Sequence, residues 1–293
     1  MSKPNIPLGI FSAIIIIFIW SGFIVFSRAG VTSNLQAYDI AALRFMVAGC
    51  LVLPFFKAWW PSHLPFKAKL LMASCGPGAI YTLIMYFGLT QASAAYGGVF
   101  SNGSLPIFTL LIVFFVSGEK PQRNQLIAIA VIIFGGLLLA FSGLESGGNN
   151  IMLGVVLFLI ASAVMSVYIV GVRHWGVTPR QALALVTMPS ALIFLPLWYF
   201  FLPSGIANTE ISIVLFQAVF QGLGPGFLAV ILFALAAMHL GPTLTAGFSA
   251  VVPAMAALLA IPVLGEVPSP LEWVGIGLVT VGLSLLIVSK KSA

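Results

Sequence analysis

The stretch Gly76-Pro77-Gly78 returns as Gly224-Pro225-Gly226, 148 residues further along the chain. Matching residues surround both copies at spacings of 145 to 147: Leu8-Gly9 with Leu153-Gly154, Ser21 with Ser166, Arg28 with Arg173, Thr32 with Thr178, Leu105-Pro106 with Val252-Pro253, and Gly118-Glu119 with Gly265-Glu266. A repeat of this length predicts two structural units of the same kind. We place these units at 1–147 and 148–293.

Composition predicts that both units lie in a membrane. Of the 293 residues, 61% are hydrophobic and 6% are charged, whereas about a quarter of the residues of a soluble domain are charged. Cys50 and Cys75 fall inside apolar runs, so we predict neither a disulfide nor a metal site. The first apolar run, 8–27, has no small-residue cleavage site after it, which indicates a retained helix rather than a signal peptide.

Ten apolar runs are long enough to cross a bilayer, five in each repeat. They lie near 8–27, 36–56, 69–90, 95–117, 124–142, 152–172, 181–202, 212–238, 243–264 and 271–288. Because each repeat crosses the membrane an odd number of times, the two repeats must be inverted relative to each other, as in many secondary transporters. The sequence therefore predicts an all-α integral membrane protein with two inverted five-helix repeats around a central cavity.

The positions of the basic residues predict the orientation in the membrane. With a cytoplasmic amino terminus, the inner loops and tails hold ten lysines and arginines, and the outer side holds only Arg28. This asymmetry predicts that both termini are cytoplasmic. The basic residues are scattered over many loops rather than gathered on one face, so we expect no nucleic-acid partner.

The spans contain few groups that could carry out bond-breaking chemistry. No lysine lies at mid-depth, and the three histidines, His63, His174 and His239, fall near predicted helix ends. Motifs of paired carboxylates or of histidines spaced for a metal are absent from the sequence. We therefore predict that the protein is not an enzyme and has no catalytic residue, no metal and no cofactor.

Arg44 is the one charged residue well inside a predicted span. In one interpretation its guanidinium attracts the carboxylate of a substrate. In the other it fixes helix packing, by bonding to helix-end carbonyls or to Asp39. Arg28 and Asp39 flank the same outer loop, so an ion pair between these two is a further hypothesis.

Uncharged polar and aromatic residues are more numerous at depth, and each hydroxyl or amide needs a partner or a wet cavity there. We predict that twelve of these residues line a substrate cavity: Trp20, Ser21, Tyr81, Tyr86, Tyr96, Asn102, Ser166, Tyr168, Gln217, Gln221, Phe248 and Ser249. The alternative is that they join helices at contacts between small residues.

Glycine and proline interrupt the same spans in both repeats, and such matched interruptions point to the site or hinges of a transporter. The predicted hinge residues are Gly76, Pro77, Gly78, Pro106, Gly224, Pro225, Gly226 and Pro253. The alternative is that these residues form simple packing kinks.

Short motifs carry a resemblance to a known family: Trp20-Ser21, Ser27-Arg28, Ala42-Leu43-Arg44-Phe45, the run from Ala95-Tyr96 to Pro106, Gly118-Glu119-Lys120, Gly135-Gly136, Gly241 to Pro253, and Gly265-Glu266. They resemble the EamA-type repeat of the ten-helix branch of the drug/metabolite transporter superfamily. More loosely, the chain looks like a YddG-type exporter of aromatic and other neutral amino acids. The resemblance implies a bacterial inner-membrane exporter whose cavity is built mainly from spans 1, 3, 4, 6, 8 and 9, with spans 5 and 10 peripheral.

One departure from the family pattern concerns Arg44. Leu192-Ile193-Phe194 stands where a second Leu-Arg-Phe is expected, so the role of Arg44 is not duplicated and the cavity is predicted to be asymmetric.

An aromatic cavity without carboxylates suits a small solute with an apolar ring and a zwitterionic head. We hypothesise that the protein exports small neutral, preferably aromatic, amino acids by alternating access. No Asp, Glu or His lies near mid-membrane to relay protons, which favours uncoupled facilitated diffusion or exchange. Drug or metabolite efflux by proton antiport is the alternative. The expected partners are the small-molecule substrate and membrane lipids, and the sequence is compatible with a monomer.

Overall fold

The computed structural model describes residues 5–145, 149–240, 248 and 250–289, and every regular element within these ranges is a helix. We number the helices by the ten predicted spans: α1 (Ile6–Val31), α2 (Ala37–Trp59), α3 (Phe66–Cys75 and Ala79–Gln91), α4 (Ala94–Gly97, the π-helical Gly98–Gly103, and Leu105–Ser117), α5 (Arg123–Glu145), α6 (Asn149–His174), α7 (Pro179–Phe201), α8 (Ile211–Leu223, the π-helical Gly224–Leu228, and Ala229–Leu240), α9 (Val252–Leu264) and α10 (Pro270–Ser289).

Nine of these segments, all except α9, are long and apolar enough to cross a membrane within the described ranges. The α9 segment has 13 residues, which is shorter than the roughly 20 that a span requires. The ninth predicted span begins at 243, and residues 241–247 and 249 lie outside the described part of the chain. The predicted all-helical membrane fold is confirmed.

Close contacts at matched glycines show that the two repeats are inverted. At the start of α1, a Cβ on Gly9 would lie 2.7 Å from Cγ of Leu240, at the end of α8. At the start of α6, a Cβ on Gly154 would lie 2.7 Å from Cβ of Ala92, just past the end of α3. The end of α1 also meets the end of α3, because Arg28 donates a hydrogen bond to the Leu89 carbonyl. Since α1 ends where α6 begins, the two repeats run in opposite directions.

The helices pack in symmetry-related pairs. Helix α1 of the first repeat packs against α8 and α9, whereas its counterpart α6 packs against α3 and α4. Helices α5 and α10 pack mainly on each other, with Gly135 and Gly275 back to back: a Cβ on either would lie 2.7 Å from the carbonyl oxygen of the other. The two repeats therefore exchange partners and leave the α5–α10 pair at the edge of the bundle.

The charged residues divide the bundle into two ends. We call one the acidic end, where the helices turn between α1 and α2, α3 and α4, α7 and α8, and α9 and α10. It carries Arg28, Asp39, Glu210, Glu266 and Glu272. The opposite, basic end carries Lys57, Lys67, Lys69, Glu119, Lys120, Arg123, Arg173 and Arg180.

The helix caps correct the expected match between α2 and α7. At the start of α2, Asp39 accepts from the Gln36 N–H at 2.9 Å, and at the start of α7, Gln181 accepts from the Thr178 N–H at 3.0 Å. Thr178 therefore corresponds to Gln36, at a spacing of 142, and not to Thr32. The cause is that the chain from Arg173 to Thr178 is three residues shorter than the chain from Arg28 to Gln36.

This register changes the counterpart of Arg44. At a spacing of 142 the matching residue is Val186, which is buried, and not Ile193, which is 64% exposed on the outside of the bundle. Arg44 remains without a basic counterpart in the second repeat.

Candidate functional site

The two halves of α3 are separated by an open turn at Gly76-Pro77-Gly78. The backbone is extended at Gly76 (ψ −175°) and at Gly78 (ψ −163°). Proline has no N–H and the chain leaves the helix, so backbone groups beside the break lose their helical partners. The Ser190 hydroxyl of α7 accepts a hydrogen bond from the Ala79 N–H at 3.1 Å and so caps the second half of α3.

Arg44 of α2 lies against this break. Its side chain is 3% exposed, and Nη2 donates to the Pro77 carbonyl at 3.3 Å. Cζ lies 5.3 Å from the ring centroid of Phe23 and 5.8 Å from that of Phe45. Nε has no hydrogen-bond partner among the described residues. The guanidinium is thus buried and held by one helix-end carbonyl and two rings, with donor capacity left over.

Asp39 is not a partner of Arg44 or of Arg28. This buried carboxylate accepts hydrogen bonds from Trp198 Nε1 at 2.9 Å and from the Gly205 N–H at 2.8 Å, and also caps α2. The hypothesis of an ion pair between Arg28 and Asp39 is wrong, because these backbone and indole donors already occupy the carboxylate.

A small cavity of about 20 Å³ lies beside Arg44 and is bounded by α2, α3, α6, α7 and α8. Its walls include Arg44, Pro77, Tyr168, Val186, Thr187 and Gly226. A volume of this size holds about one water molecule, so the cavity is closed to any amino acid in this conformation. Sequence reasoning named Arg44 of α2 as a candidate for binding a carboxylate, but it included no residue of α7. The 142-residue match between α2 and α7 was the signal that could have found Val186.

Tyr81 and Tyr86 of α3 lie in the same buried core, within electrostatic range of the Arg44 guanidinium. Tyr86 also packs its ring against Phe23, with 6.0 Å between the ring centroids. Four predicted site residues therefore lie close together beside the break in α3: Arg44, Tyr81, Tyr86 and Tyr168.

Gln217 and Gln221 form a continuous chain of hydrogen bonds that joins α8 to α1 and α3. Gln221 accepts from the Tyr86 hydroxyl at 3.2 Å and donates to Ser27 Oγ at 3.0 Å and to Gln217 Oε1 at 3.1 Å. Gln217 in turn donates to the Phe26 carbonyl at 2.7 Å. Both amides use their donors and acceptors to connect helices, which is the alternative interpretation of these residues in the present conformation.

Ser21 and Ser166 make matching contacts in the two repeats. Ser166 donates to the Leu105 carbonyl at 3.0 Å, and Ser21 donates to the Val252 carbonyl at 3.4 Å. Leu105 and Val252 are themselves counterparts at a spacing of 147. The two hydroxyls therefore join α6 to α4 and α1 to α9. Each bonds to the residue just before a matched proline, Pro106 or Pro253.

Three of the remaining predicted cavity residues lie away from Arg44. The Trp20 ring lies 5.6 Å from that of Phe233, and Phe248 packs against the same small apolar cluster. Asn102 is half-buried in the π-helical turn of α4. Ser249 lies outside the described residues.

Tyr96 belongs to a separate recess at the acidic end. Its hydroxyl lies 2.8 Å from Glu272 Oε1 and 3.0 Å from the Leu139 carbonyl. The recess has a volume of about 250 Å³ and is also lined by Ser93, Glu266 and Pro268. Sequence reasoning identified Gly265-Glu266 as a repeated motif but did not name Glu266 or Glu272 as a site residue.

Arg28 and Glu266 form an ion pair at the acidic end. Arg28 Nε donates to Glu266 Oε1 at 2.8 Å, and Arg28 also donates to the Leu89 carbonyl. The other oxygen of Glu266 accepts from the Ala94 N–H at 2.9 Å. One ion pair thus connects α1, α3, α4 and the turn between α9 and α10.

The predicted hinge residues fall into three local structures. Pro106 and Pro253 each stand in the first turn of a 13-residue helix that ends at a left-handed glycine, Gly118 (φ 72°) and Gly265 (φ 68°). Gly76-Pro77-Gly78 is an open break, whereas Gly224-Pro225-Gly226 lies in a π-helical turn. Whether these positions bend during function stays a prediction.

Comparisons with known proteins agree with this architecture. The model of the EamA-like transporter family matches residues 7–141 and 152–288. A curated relative, an uncharacterized transporter called YwfM from Bacillus subtilis (strain 168), is 28% identical over 245 residues, which is 80% of this chain and 76% of the relative. One crystal structure superposes with a TM-score of 0.68 over 99% of both chains at 18% identity, and it supports the fold alone.

The family model matches both repeats and nearly the whole chain. The chain therefore belongs to the EamA-like transporter family, as an all-helical, multi-pass membrane transporter.

Proposed function

We propose that this transporter exports small neutral amino acids, preferably aromatic ones, by alternating access and without ion coupling. In this proposal the basic end faces the cytoplasm of a bacterium and the membrane is the inner membrane. The excess of basic residues at that end supports the orientation.

The observation that carries the proposal is the buried Arg44 guanidinium with its unpaired Nε. A buried cation normally has a charged or fully hydrogen-bonded partner, and here its neighbours are one carbonyl, two aromatic rings and the phenol groups of Tyr81 and Tyr86. A planar guanidinium with free donors is well suited to a carboxylate, which accepts two parallel hydrogen bonds. We infer that the substrate carboxylate supplies the missing partner when the cavity opens.

The neighbouring side chains favour an apolar ring on the same substrate. Phe23, Phe45, Tyr86 and Tyr168 surround Arg44 or the cavity beside it. Aromatic faces pack against a substrate ring and attract an ammonium group. An aromatic amino acid combines the carboxylate, ring and ammonium that these groups would recognise.

The closed cavity and the two ends support alternating access. At about 20 Å³ the cavity must expand to admit an amino acid. The acidic end is tied by Arg28 and Glu266, and α3 is interrupted beside Arg44, where the two halves of the helix can move independently. Opening toward one end at a time would load and release the substrate.

The absence of a carboxylate or histidine from the described cavity wall supports transport without proton coupling. The second candidate, drug or metabolite efflux by proton antiport, is favoured by a different observation. Glu266 and Glu272 line the recess at the acidic end, where protons from solution could reach them.

Counterflow into proteoliposomes tests the proposal. Liposomes containing the protein and loaded with unlabelled phenylalanine should accumulate labelled phenylalanine faster than protein-free liposomes. Unlabelled tryptophan should compete, whereas phenethylamine, which lacks the carboxylate, should not. Equal accumulation with and without protein rejects the substrate assignment. A rate that follows an imposed pH gradient at a fixed phenylalanine gradient favours proton antiport.

A further inference from the structure

The Arg28–Glu266 contact is the one ion pair that the described residues form. Both side chains are largely buried, at 19% and 22% exposure. Their additional bonds to the Leu89 carbonyl and to the Ala94 N–H bring four chain segments together at the acidic end. Separating these segments requires breaking the pair.

Both members of this ion pair have counterparts in the other repeat. Arg173 matches Arg28 at a spacing of 145, and Glu119 matches Glu266 at a spacing of 147. Arg173 lies in the last turn of α6, as Arg28 lies in the last turn of α1. Glu119 and Glu266 each follow a left-handed glycine that ends a 13-residue helix. The inverted repeat therefore places an equivalent arginine and glutamate at the basic end.

The two pairs differ in state. Arg173 and Glu119 are both exposed, and within the described part of the chain they form no ion pair. Among these four charged residues at matched positions, Arg28 and Glu266 are thus in contact, whereas Arg173 and Glu119 are apart. The charged residue types are the same in both repeats, and we attribute the difference between the two pairs to the conformation.

We propose that Arg28–Glu266 and Arg173–Glu119 are symmetry-related latches that close the two ends of the transport path in turn. In the present conformation the acidic-end latch is formed. When the repeats exchange conformations, Arg28 and Glu266 separate and Arg173 meets Glu119 at the basic end. This inference rests on the alternating access proposed above and assigns its gating residues.

The strength of a partly exposed ion pair suits this role. Such a pair shifts a two-state equilibrium by about two- to fivefold. Two latches of similar strength at opposite ends leave both conformations populated, so neither end stays shut.

Distance measurements between spin labels test the latches without any substrate. In a background with Cys50→Ala and Cys75→Ala, one label pair replaces Thr90 and Val267 at the acidic end. A second pair replaces Lys120 and His174 at the basic end; all four positions are exposed. In lipid nanodiscs, Glu266→Gln should raise the population with a long acidic-end distance about two- to fivefold. Glu119→Gln should lower that population by a similar factor.

The matched control is Arg123→Gln, which removes a neighbouring exposed charge at the basic end and should change neither distance. If Glu119→Gln also leaves both distance distributions unchanged, the two-latch proposal is overturned. Shifts in opposite directions for Glu119→Gln and Glu266→Gln support it whatever solute is carried. Loss of phenylalanine counterflow alone would therefore reject the proposed substrate and not the latches.

A charge exchange provides a second test. Glu119→Arg places two cations at the basic end and should slow counterflow about two- to fivefold. Adding Arg173→Glu to the same protein restores an attractive pair and keeps the original net charge of that end. We expect the double variant to recover at least half of the lost rate. No recovery means that the two residues never meet, which overturns the proposal.

Discussion

The two Gly-Pro-Gly stretches have the same sequence and fold differently. At Gly76-Pro77-Gly78 the backbone is extended on both sides of the proline and α3 is broken. At Gly224-Pro225-Gly226 the chain continues as a π-helical turn, in which the Ala229 N–H still bonds to the Gly224 carbonyl. Different helices face the two stretches: α7 lies against Gly76 and Gly78, whereas α2 lies against Gly226.

Side chains at matched positions on α7 and α2 explain the two outcomes. Ser190 and Ala48 are counterparts at a spacing of 142, and they lie against Gly78 and Gly226 respectively. The Ser190 hydroxyl caps the Ala79 N–H and stabilises an open break, whereas Ala48 has no group with which to do so. In the π-helical turn the backbone bonds to itself.

Arg44 and Val186 are a second pair of counterparts, at a spacing of 142, whose side chains differ in chemistry. Arg44 bonds to the Pro77 carbonyl exposed by the open break, and Val186 packs on the Gly76 side of that break. Both line the small cavity beside the break. A duplicated fold has thus placed a charge, and the carbonyl that it binds, beside only one of its two Gly-Pro-Gly stretches, which is a way to build an asymmetric binding site.

The largest expected effect is the loss of substrate affinity when the charge of Arg44 is removed. Arg44→Met keeps the length and apolar contacts of the side chain but removes its donors. We expect the apparent affinity for phenylalanine to fall about ten- to hundredfold, the range for hydrogen bonds to charged groups. Concentration-dependent counterflow measures this. The control is Ile193→Ala, which alters an outward-facing residue. Unchanged affinity in Arg44→Met would assign the arginine to helix packing alone.

Alanine at matched glycines tests the structural difference directly. A Cβ on Gly76 would lie 2.7 Å from Val186 Cγ2 and 2.8 Å from the Met72 carbonyl oxygen, so Gly76→Ala should destabilise the protein by about 1–3 kcal/mol. Apart from its chain neighbours, a Cβ on Gly224 would meet no atom closer than 3.8 Å. Alanine there meets only the steric conflict with the ring of Pro225 that follows it, so Gly224→Ala should destabilise the protein less than Gly76→Ala. Thermal unfolding in detergent compares the two variants. Equal losses would mean that the two stretches have the same packing.

The smallest expected effect is the loss of stability when the Ser190 cap on the second half of α3 is removed. Ser190→Ala removes the acceptor for the Ala79 N–H and should destabilise the protein by about 1 kcal/mol, as for other helix caps. The reciprocal variant, Ala48→Ser, should not stabilise it, because no free N–H awaits a cap at the π-helical turn. The same unfolding measurement compares them. A gain in stability for Ala48→Ser would contradict this explanation of the difference.

Much of the fold follows from local properties of the chain, and the predictions there were accurate. Apolar length located the helices within a few residues, since an apolar segment in lipid must bond its backbone internally. Repeat spacing and the odd number of spans implied inversion. The match of α2 to α7 failed by four residues at the Thr32–Thr178 pair and by seven at Leu192-Ile193-Phe194, because both matches relied on residue type alone. The capping residues Gln36 and Thr178 give the register that the structure shows.

The candidate site was only partly accessible to sequence reasoning. Arg44 stood out as a charge within an apolar segment, and the glycine–proline stretch stood out by repetition. The cap from Ser190, 111 residues from Ala79, and the Glu266 partner of Arg28, 238 residues away, did not. Such partners depend on which helix faces which, and no local pattern encodes that.

The sequence by itself determined a duplicated, inverted membrane bundle with one arginine inside, because hydrophobic length, charge position and repeat spacing act on each segment separately. Only the tertiary structure decided which Gly-Pro-Gly stretch opens, which carbonyl Arg44 binds and which latch is formed. Those outcomes depend on contacts between distant helices, which place the Ser190 hydroxyl against one Gly-Pro-Gly stretch and the Ala48 methyl group against the other.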